Sequence, residues 1–336
     1  MSASTRRPRA TARIRTASVA ALLGTGALVL SGCGDQTDGA GGSGGKDKAA
    51  DVCKTTEGGS DKSKQPSGGP TADPDAALPA KLKDRGVLKV GTDAAYKPME
   101  YKDGGKIVGL DVDIAKAIGK KLGVRFEFTN GTFDGLITAL QTGRFDMVMS
   151  SMTDTKDRQE GLDEKGKKVG KGVDFVDYLT AGSSILVQKG NEKGIECLAQ
   201  LCGEKVATQR GTTSHELLKN QTEKCEKDGK QPIAVEPFAT DDEARVRLKS
   251  GGVVADVADF PVAAHAAANG DDFELTGEQM ESAPYGMAVS KDETELRDAL
   301  HGAMRAIIED GSYEKALKKW GVEDGAVSKS TINAGV

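Results

Sequence analysis

The sequence predicts an α/β protein whose chain forms two lobes around a cleft. Three observations carry that expectation. Strand and helix signals alternate from Leu82 onward, the mark of parallel α/β units. About 255 residues follow a polar N-terminal region, enough for two lobes of roughly 100 residues, each with its own core. Residues 143–158, GRFDMVMSSMTDTKDR, read as a buried strand that delivers hydroxyls and an arginine to one place. Met147, Val148 and Met149 fit a strand covered on both faces, and Ser150, Ser151, Thr153, Thr155 and Arg158 follow directly. Ligands of open α/β sheets bind beyond the carboxyl ends of strands, and arginine grips a carboxylate through two parallel hydrogen bonds. A small anionic ligand suits this place. The other reading is a polar loop whose Ser and Thr cap the next helix and whose arginine is a surface charge.

The elements follow in order. Arg6, Arg7, Arg9, Arg13 and Arg15 form a basic leader, and the apolar run over residues 19–30 is too short to remain as a membrane span. Residues 1–32 therefore read as a cleaved signal peptide. Leu30, Ser31, Gly32 and Cys33 resemble the lipobox of bacterial lipoproteins, which implies lipidation of Cys33 and a place on the extracellular face of the cell membrane. Arg6 and Arg7 hint at twin-arginine export without completing that pattern, so both export routes stay open. Residues 34–80 are mostly Gly, Ser, Lys, Asp and Pro, a composition that cannot offset chain entropy by burial. With Cys33 they predict a disordered tether over residues 33–81. Without the leader, 41 basic side chains stand against 51 acidic ones, a formal charge of −10 that argues against nucleic acid as a partner.

In the folded part, residues 87–91 predict a strand, 93–99 a loop, and GGK at Gly104 a turn leading back to Gly109. Asp111 starts a helix in which Ile114, Ala115, Ile118 and Leu122 share a face, with Gly123 as its stop. Residues 124–128 alternate as a strand, and Phe133, Leu136, Ile137 and Leu140 line the next helix. A second unit opens near Ser183, with strands at 185–188 and 205–208 and a helix from Thr213 in which Thr213 and Glu216 match a capping box. A strand at 233–238, a helix at 241–249 and a strand at 253–257 complete it. The chain then returns with a strand at 286–289, a helix over 293–308 and a closing helix with Tyr313, Leu317 and Trp320.

Of five cysteines, Cys33 is assigned to lipid. Cys202 precedes a strand and Cys225 ends the helix after it, so these two are expected to pair; a bond between Cys53 and Cys197 stays open. Zinc is the competing idea, but Cys197 and Cys202 lack CxxC spacing and His215 has no evident role as a fourth ligand. No metal or cofactor is expected.

Eight segments, in order, resemble the solute-binding proteins of bacterial ABC transporters, in the group that binds polar amino acids (family 3). They are VGTDAAYKPMEY (90–101), GLDVDIAKAIGKKLG (109–123), FDGLITALQTGRFDMVMSSMTDTKDR (133–158), DFVDY (174–178), QRGTTSHELL (209–218), ADFPVAAH (258–265), APYGMAVSKDETELRDAL (283–300) and DGSYEKALKKWG (310–321). The resemblance implies a periplasmic-binding-protein-like clamshell with a hinge of two crossing strands near residues 179–182 and 282–285. Lobe 1 would comprise residues 82–180 and 285–336, and lobe 2 residues 181–284. It implies a monomer that captures a polar amino acid and delivers it to an ABC transporter permease, held at the membrane by its lipid anchor. Carried over residue by residue, Arg158 pairs with the ligand's α-carboxylate and Thr213 supports that carboxylate at a helix N-terminus. Asp259, helped by Ser151 and Thr153, pairs with the α-ammonium. Tyr96 and Phe133 flank the side chain, and Asp93 lies near its tip.

An acid at the end of a buried apolar segment, as at Asp259, costs stability unless it is paired. Plainer readings stand beside the others: Phe133 as core, Tyr96 as a rim aromatic, Asp93 as a turn cap. Three departures from the family's pattern are visible. The segment between Arg158 and Phe175 is about ten residues longer than usual and reads as a surface loop near the cleft mouth. GGVVADVAD places Asp256 where an apolar residue is expected, which puts the local register in question. Arg210 is positioned to favour an acidic ligand side chain, against the basic or neutral one suggested by Asp93. Two other function classes compete: a dehydratase-type enzyme on the same fold, and a ligand-sensing domain. Catalysis needs a general acid or base at the ligand, and none of His215, His265 and His301 falls at a matched position.

Overall fold

A computed structural model describes Cys53, residues 77–163 and residues 165–335. The expected signal peptide, the lipidated Cys33 and the tether up to residue 76, apart from Cys53, lie outside the described residues.

A short helix, α1 (Ala80–Arg85), leads into β1 (Val87–Thr92), where Leu88 and Val90 are fully buried. β2 (Ala95–Tyr96), β3 (Glu100–Asp103) and β4 (Lys106–Val108) form a small antiparallel sheet. Only its turn was legible beforehand, because strands of two to four residues carry no usable period. α2 (Leu110–Leu122) turns Leu110, Ile114, Ala115 and Ile118 inward, and Gly123 ends it in a left-handed conformation. β5 (Arg125–Asn130), a 3-10 turn at Phe133–Gly135, α3 (Leu136–Gln141), β6 (Met147–Val148) and α4 (Lys156–Glu160) follow. β1 pairs in parallel with both β5 and β6.

β7 (Val173–Gln188) carries the chain into the second set: β8 (Lys205–Gln209), α5 (Thr213–Lys227), β9 (Ala234–Phe238), α6 (Asp241–Lys249), β10 (Ala255–Asp259) and α7 (Phe260–Ala268). β11 (Phe273–Ser290) carries it back to α8 (Thr294–Glu309) and α9 (Ser312–Trp320). The strand order is β5-β1-β6-β11-β7-β10-β8-β9. β7 and β11 pair antiparallel along their length and lie at the centre of both sets, so the protein is a two-lobed clamshell with two crossing strands as its hinge. The expected strands at 185–188 and 286–289 are the ends of these long strands. Their middles, Thr180 to Ser183 in β7 and Thr276 to Ser282 in β11, lack a regular apolar period and are ordered by pairing instead. The register shifts between Thr276 and Met280, between Met280 and Ala283, and between Tyr285 and Gly286. Beside these bulges a Cβ on Gly182 would overlap the Met280 carbonyl oxygen, so glycine permits the close approach of the two strands.

Buried side chains fall into separate clusters. One, with Leu88, Ile114, Ile118, Met147, Tyr178, Met287, Leu300 and Ile307, joins α2 and α8 to one part of the sheet. Another, with Ile185, Val206, Leu217, Leu218 and Val257, joins α5 to the other part. Truncating a fully buried Ile or Leu of this kind to Ala costs about 2–5 kcal/mol. The capping box is corrected by the structure: Thr212, not Thr213, is the N-cap of α5, and its hydroxyl accepts from His215 N at 3.1 Å. Thr212 holds the extended conformation that a cap requires, and Thr213 is the first helical residue. The long 161–172 segment is tied to Gln141, at the end of α3 farther from Phe133, and to Asp292 through Lys171. Among the described residues no helix is long and apolar enough to cross a membrane.

Cys202 is bonded to Cys225 and Cys53 to Cys197. The first bridge closes a 23-residue separation, and in the chain-entropy picture a loop of that size stabilises the fold by about 3 kcal/mol. Replacing Cys202 and Cys225 together with Ser is expected to lower the unfolding free energy by about that amount, read as a lower urea midpoint with an unchanged circular dichroism spectrum.

Candidate functional site

The expected ligand residues converge where the two lobes face each other. Asp93 follows β1, Tyr96 lies in β2, Phe133 opens the 3-10 turn, and Ser151, Thr153 and Arg158 follow β6. From the other lobe come Thr213, at the start of α5, and Asp259, at the end of β10. Apart from Tyr96, these places follow the carboxyl ends of parallel strands, the usual position of ligand sites in open α/β sheets.

Among the described residues, hydrogen bonds reach across the cleft from Asp93, Tyr96, Thr153 and Arg158. Gln209 Nε2 donates to Asp93 Oδ2 at 2.8 Å, Arg158 Nη2 to the Gly211 carbonyl at 3.0 Å, and Asp259 N to the Tyr96 hydroxyl at 3.2 Å. The Thr153 and Thr213 hydroxyls meet at 3.4 Å. Arg158 Nη1 also donates to the Thr153 carbonyl at 2.7 Å, and its guanidinium lies over the Phe133 ring at 5.5 Å. The arginine is therefore aimed by its own loop, by the facing lobe and by an aromatic face. Phe133 also packs against the cluster of Leu136, Leu140 and Phe145, so it is both a core residue and a cleft residue.

Burial dominates the electrostatics. Asp93 is pushed up to about 6 by loss of solvent, against the Phe133 amide and the Gln209 side chain, which favour its charged form; Asp241 and Asp242 add to the rise. Asp259 is raised by burial too, opposed by the Tyr285, Tyr96 and Ser214 hydroxyls and by the Arg158 charge. Arg158 is lowered by burial, with Glu216, Asp259 and Asp154 pulling the other way. Among the described residues no cluster of His, Cys, Asp or Glu is arranged to hold a metal ion.

Ser151 is placed differently from expectation. Its φ is 48°, its N–H donates to Asp111 Oδ2 at 3.0 Å, and its hydroxyl donates to Glu100 Oε2 at 3.2 Å. Glu100 and Asp111 are both fully buried and were not singled out beforehand. Glu100 Oε1 accepts from Ser150, whose hydroxyl in turn accepts from Asp93 N at 2.9 Å; Asp111 Oδ1 accepts from the Tyr178 hydroxyl at 2.8 Å. The two carboxyls thus form the floor beneath Asp93 and Ser151. Burial first, then the neighbouring Asp111, holds Glu100 well above the ordinary carboxylate value, and burial pushes Asp111 up to about 6. The available signal was acids between apolar neighbours, at Met99–Glu100 and Leu110–Asp111. Gln209 and Gly211, also not singled out, had no pattern of their own.

Arg210 points to the rim, half exposed, with Asp134 of the facing lobe 3.7 Å away. Asp256 pairs in register with Leu186 and Ala207, which settles the strand; its carboxyl is fully buried without a hydrogen-bond partner among the described residues. Burial, with Asp241 adding to it, raises Asp256 well above the ordinary range.

Two α/β lobes joined by crossing strands, with an arginine and a carboxylate set on opposite faces of the cleft, define an extracellular solute-binding protein. The chain belongs to the bacterial extracellular solute-binding proteins, family 3, whose model matches residues 88–323. It is 31% identical over 267 residues to the arginine-binding protein ArgT of Corynebacterium glutamicum, covering 79% of this chain and 84% of the relative. A solved ancestral arginine-binding protein bound to arginine is similar at 40% identity and a TM-score of 0.62, covering 70% of this chain and 98% of that one. An ancestral amino acid-binding protein described as a precursor of cyclohexadienyl dehydratase is similar at 38% identity and a TM-score of 0.62, over 71% of this chain and 97% of that one.

Replacing Tyr178 with Phe removes the donor to Asp111 while keeping the ring. Leaving a buried acceptor unmet costs about 1–3 kcal/mol. The Tyr178 bond favours the charged form of Asp111, so the loss of stability in urea titrations is expected to be larger at pH 8 than at pH 5, where the carboxyl takes up its proton.

Proposed function

We propose that this protein captures an amino acid with a cationic side chain, arginine in the first instance, and delivers it to an ABC importer without chemical change. The observation that carries the reading is the charge layout: Arg158 and Asp259 interact with each other, while the buried Asp93 carboxyl is held separately by the Phe133 amide and Gln209. A zwitterion needs a cation and an anion held apart in a desolvated cleft, and a guanidinium needs a further carboxylate. The Arg158 fork takes the α-carboxylate, supported by Thr213 at the N-terminus of α5. Asp259, with Thr153 and with Ser151 as part of the floor, takes the α-ammonium, while Tyr96 and Phe133 flank the side chain and Asp93 meets its tip. Asp241 and Asp242, close enough to perturb Asp93, add to the negative field there. The arginine-binding relatives support this choice.

Each lobe supplies part of the site, so the ligand favours the closed form through contacts that only closure completes. The lobes divide at residues 180/181 and 284/285, a reading supported by the register shifts of the β7–β11 ladder beside these positions, and closure bends β7 and β11 there. The closed form is what a permease recognises. The lipobox-like run at residues 30–33 supports a lipid anchor at Cys33 on the extracellular face of the membrane, where the protein acts as a monomer with the tether giving it reach.

Calorimetry with the twenty amino acids tests the reading: arginine or lysine binds tightest and returns unchanged, whereas product formation or no binding would sink it. Arg158→Ala abolishes binding while leaving the melting curve cooperative. Asp93 provides a pH signature. Its folded value of about 6 lies above the ordinary 3.8, so its contribution to the stability of the unliganded fold is fully present below 3.8 and is lost as pH rises through 6. Binding has the opposite sign, because a guanidinium requires the charged carboxylate. Arginine affinity is expected to weaken by about tenfold per pH unit below that value, and Asp93→Asn should flatten the profile.

A further inference from the structure

Residues 326–335 lie past the stretch that the family model matches, yet they are closely bound to the fold. Ile332 bridges Val176 and Ala326 bridges Leu179, so the segment runs beside β7 up to the hinge. Asn333 N donates to the Phe175 carbonyl at 3.1 Å, and Phe175 N donates to Asn333 Oδ1 at 2.7 Å. Asp177 Oδ2 accepts from Thr331 Oγ1 at 2.8 Å and from Ala334 N at 3.3 Å. Ser330, Ile332 and Ala334 are buried.

The segment's last described contact reaches the ligand loop. Gly335 N donates to Asp154 Oδ2 at 2.7 Å, and a Cβ at Gly335 would overlap the Asp154 carbonyl oxygen. Asp154 lies between Thr153, whose carbonyl aims Arg158, and Thr155, whose hydroxyl caps the helix of Arg158 at 3.3 Å. Its other oxygen accepts from Gln159 Nε2 at 2.6 Å, one residue past that arginine. Its N–H donates to the Pro284 carbonyl of β11 at 2.8 Å. One buried carboxyl therefore holds the C-terminal segment with one oxygen and the arginine's helix with the other. Asp177 Oδ1 is buried without a hydrogen-bond partner among the described residues, and burial, with Asp154 adding to it, pushes this carboxyl up to about 8.

We propose that residues 330–335 are a strap that positions the Arg158 loop for ligand, acting through Asp154 and Asp177 as positioning residues. Nothing in the strap touches ligand; its effect is to hold the Thr153 carbonyl and the Arg158 helix in the orientation that closure needs. A segment that only stapled the fold would change melting and leave the affinity of the folded protein alone. The strap is expected to change both.

The proposal rests on Arg158 as a ligand residue, and two readouts separate the two ideas. In the full chain, Gly335→Ala and Asn333→Ala are compared with the intact protein by calorimetry with arginine and by hydrogen exchange at residues 153–159. Both variants should bind arginine at least tenfold more weakly while melting cooperatively, with faster exchange confined to 153–159 and residues 174–178. Removing residues 328–336 should do the same, and a synthetic peptide of those residues added in trans should restore affinity. Exchange is measured without ligand, so it reports the strap even if arginine is not bound. Unchanged exchange at 153–159, or an affinity within twofold of the intact protein in either folded point variant, would overturn the strap. Should the shortened chain fail to fold, the two point variants decide.

Discussion

The antiparallel pairing of β7 with β11 is the constraint on which the other features depend. Each strand belongs to the sheet of both lobes, so a single ladder sets where the lobes stand and where the cleft opens. β6 and β1 build outward from one side of it, and β10, β8 and β9 from the other. The carboxyl ends of these strands then face one another across the gap. The register shifts between Thr276 and Gly286 interrupt the regular ladder at the crossing.

Buried acid is the second theme. Asp93, Glu100, Asp111, Asp154, Asp177 and Asp259 are all below a tenth exposed, and they form a chain of carboxyls around the loop that carries Thr153 and Arg158. Taking each from water is costly, and the protein offsets the cost with amides and hydroxyls more than with ion pairs. Arg158 is the one predicted ligand residue with a positive charge. Loss of solvent is the main reason that so many of these groups sit above their ordinary values, with neighbouring carboxyls adding to it at Asp93, Glu100 and Asp177.

Much of the fold was legible from periodicity. Ile114, Ala115 and Ile118 announced α2, residues 241–249 matched α6, and Met147–Val148 marked the strand that ends at the site. What was not legible depended on partners far away in sequence. β7 and β11 looked like short strands because Thr180 to Ser183 in β7 and Thr276 to Ser282 in β11 carry no regular apolar period. Thr213 looked like a cap because Thr212 beside it has the same hydroxyl, and only the backbone conformation distinguishes them. Among the proposed site residues, the charged and aromatic ones rest on their family motif. Glu100, Asp111 and Gln209 were missed because their roles exist only through hydrogen bonds to residues that are remote in the chain.

The sequence by itself determined the α/β class, the residue types that meet in the cleft and the pairing of Cys202 with Cys225, because period, turn residues and chemical character act locally. Tertiary structure decided which hydroxyls face the cleft and which serve the buried carboxyls, why Asp93 sits near 6, and how the 330–335 segment reaches Asp154. Those outcomes depend on burial and on contacts across 40 to 181 positions of sequence, as for Ser151 with Asp111 and Gly335 with Asp154. Desolvation is a property of the packed volume around a group, and no local pattern encodes it.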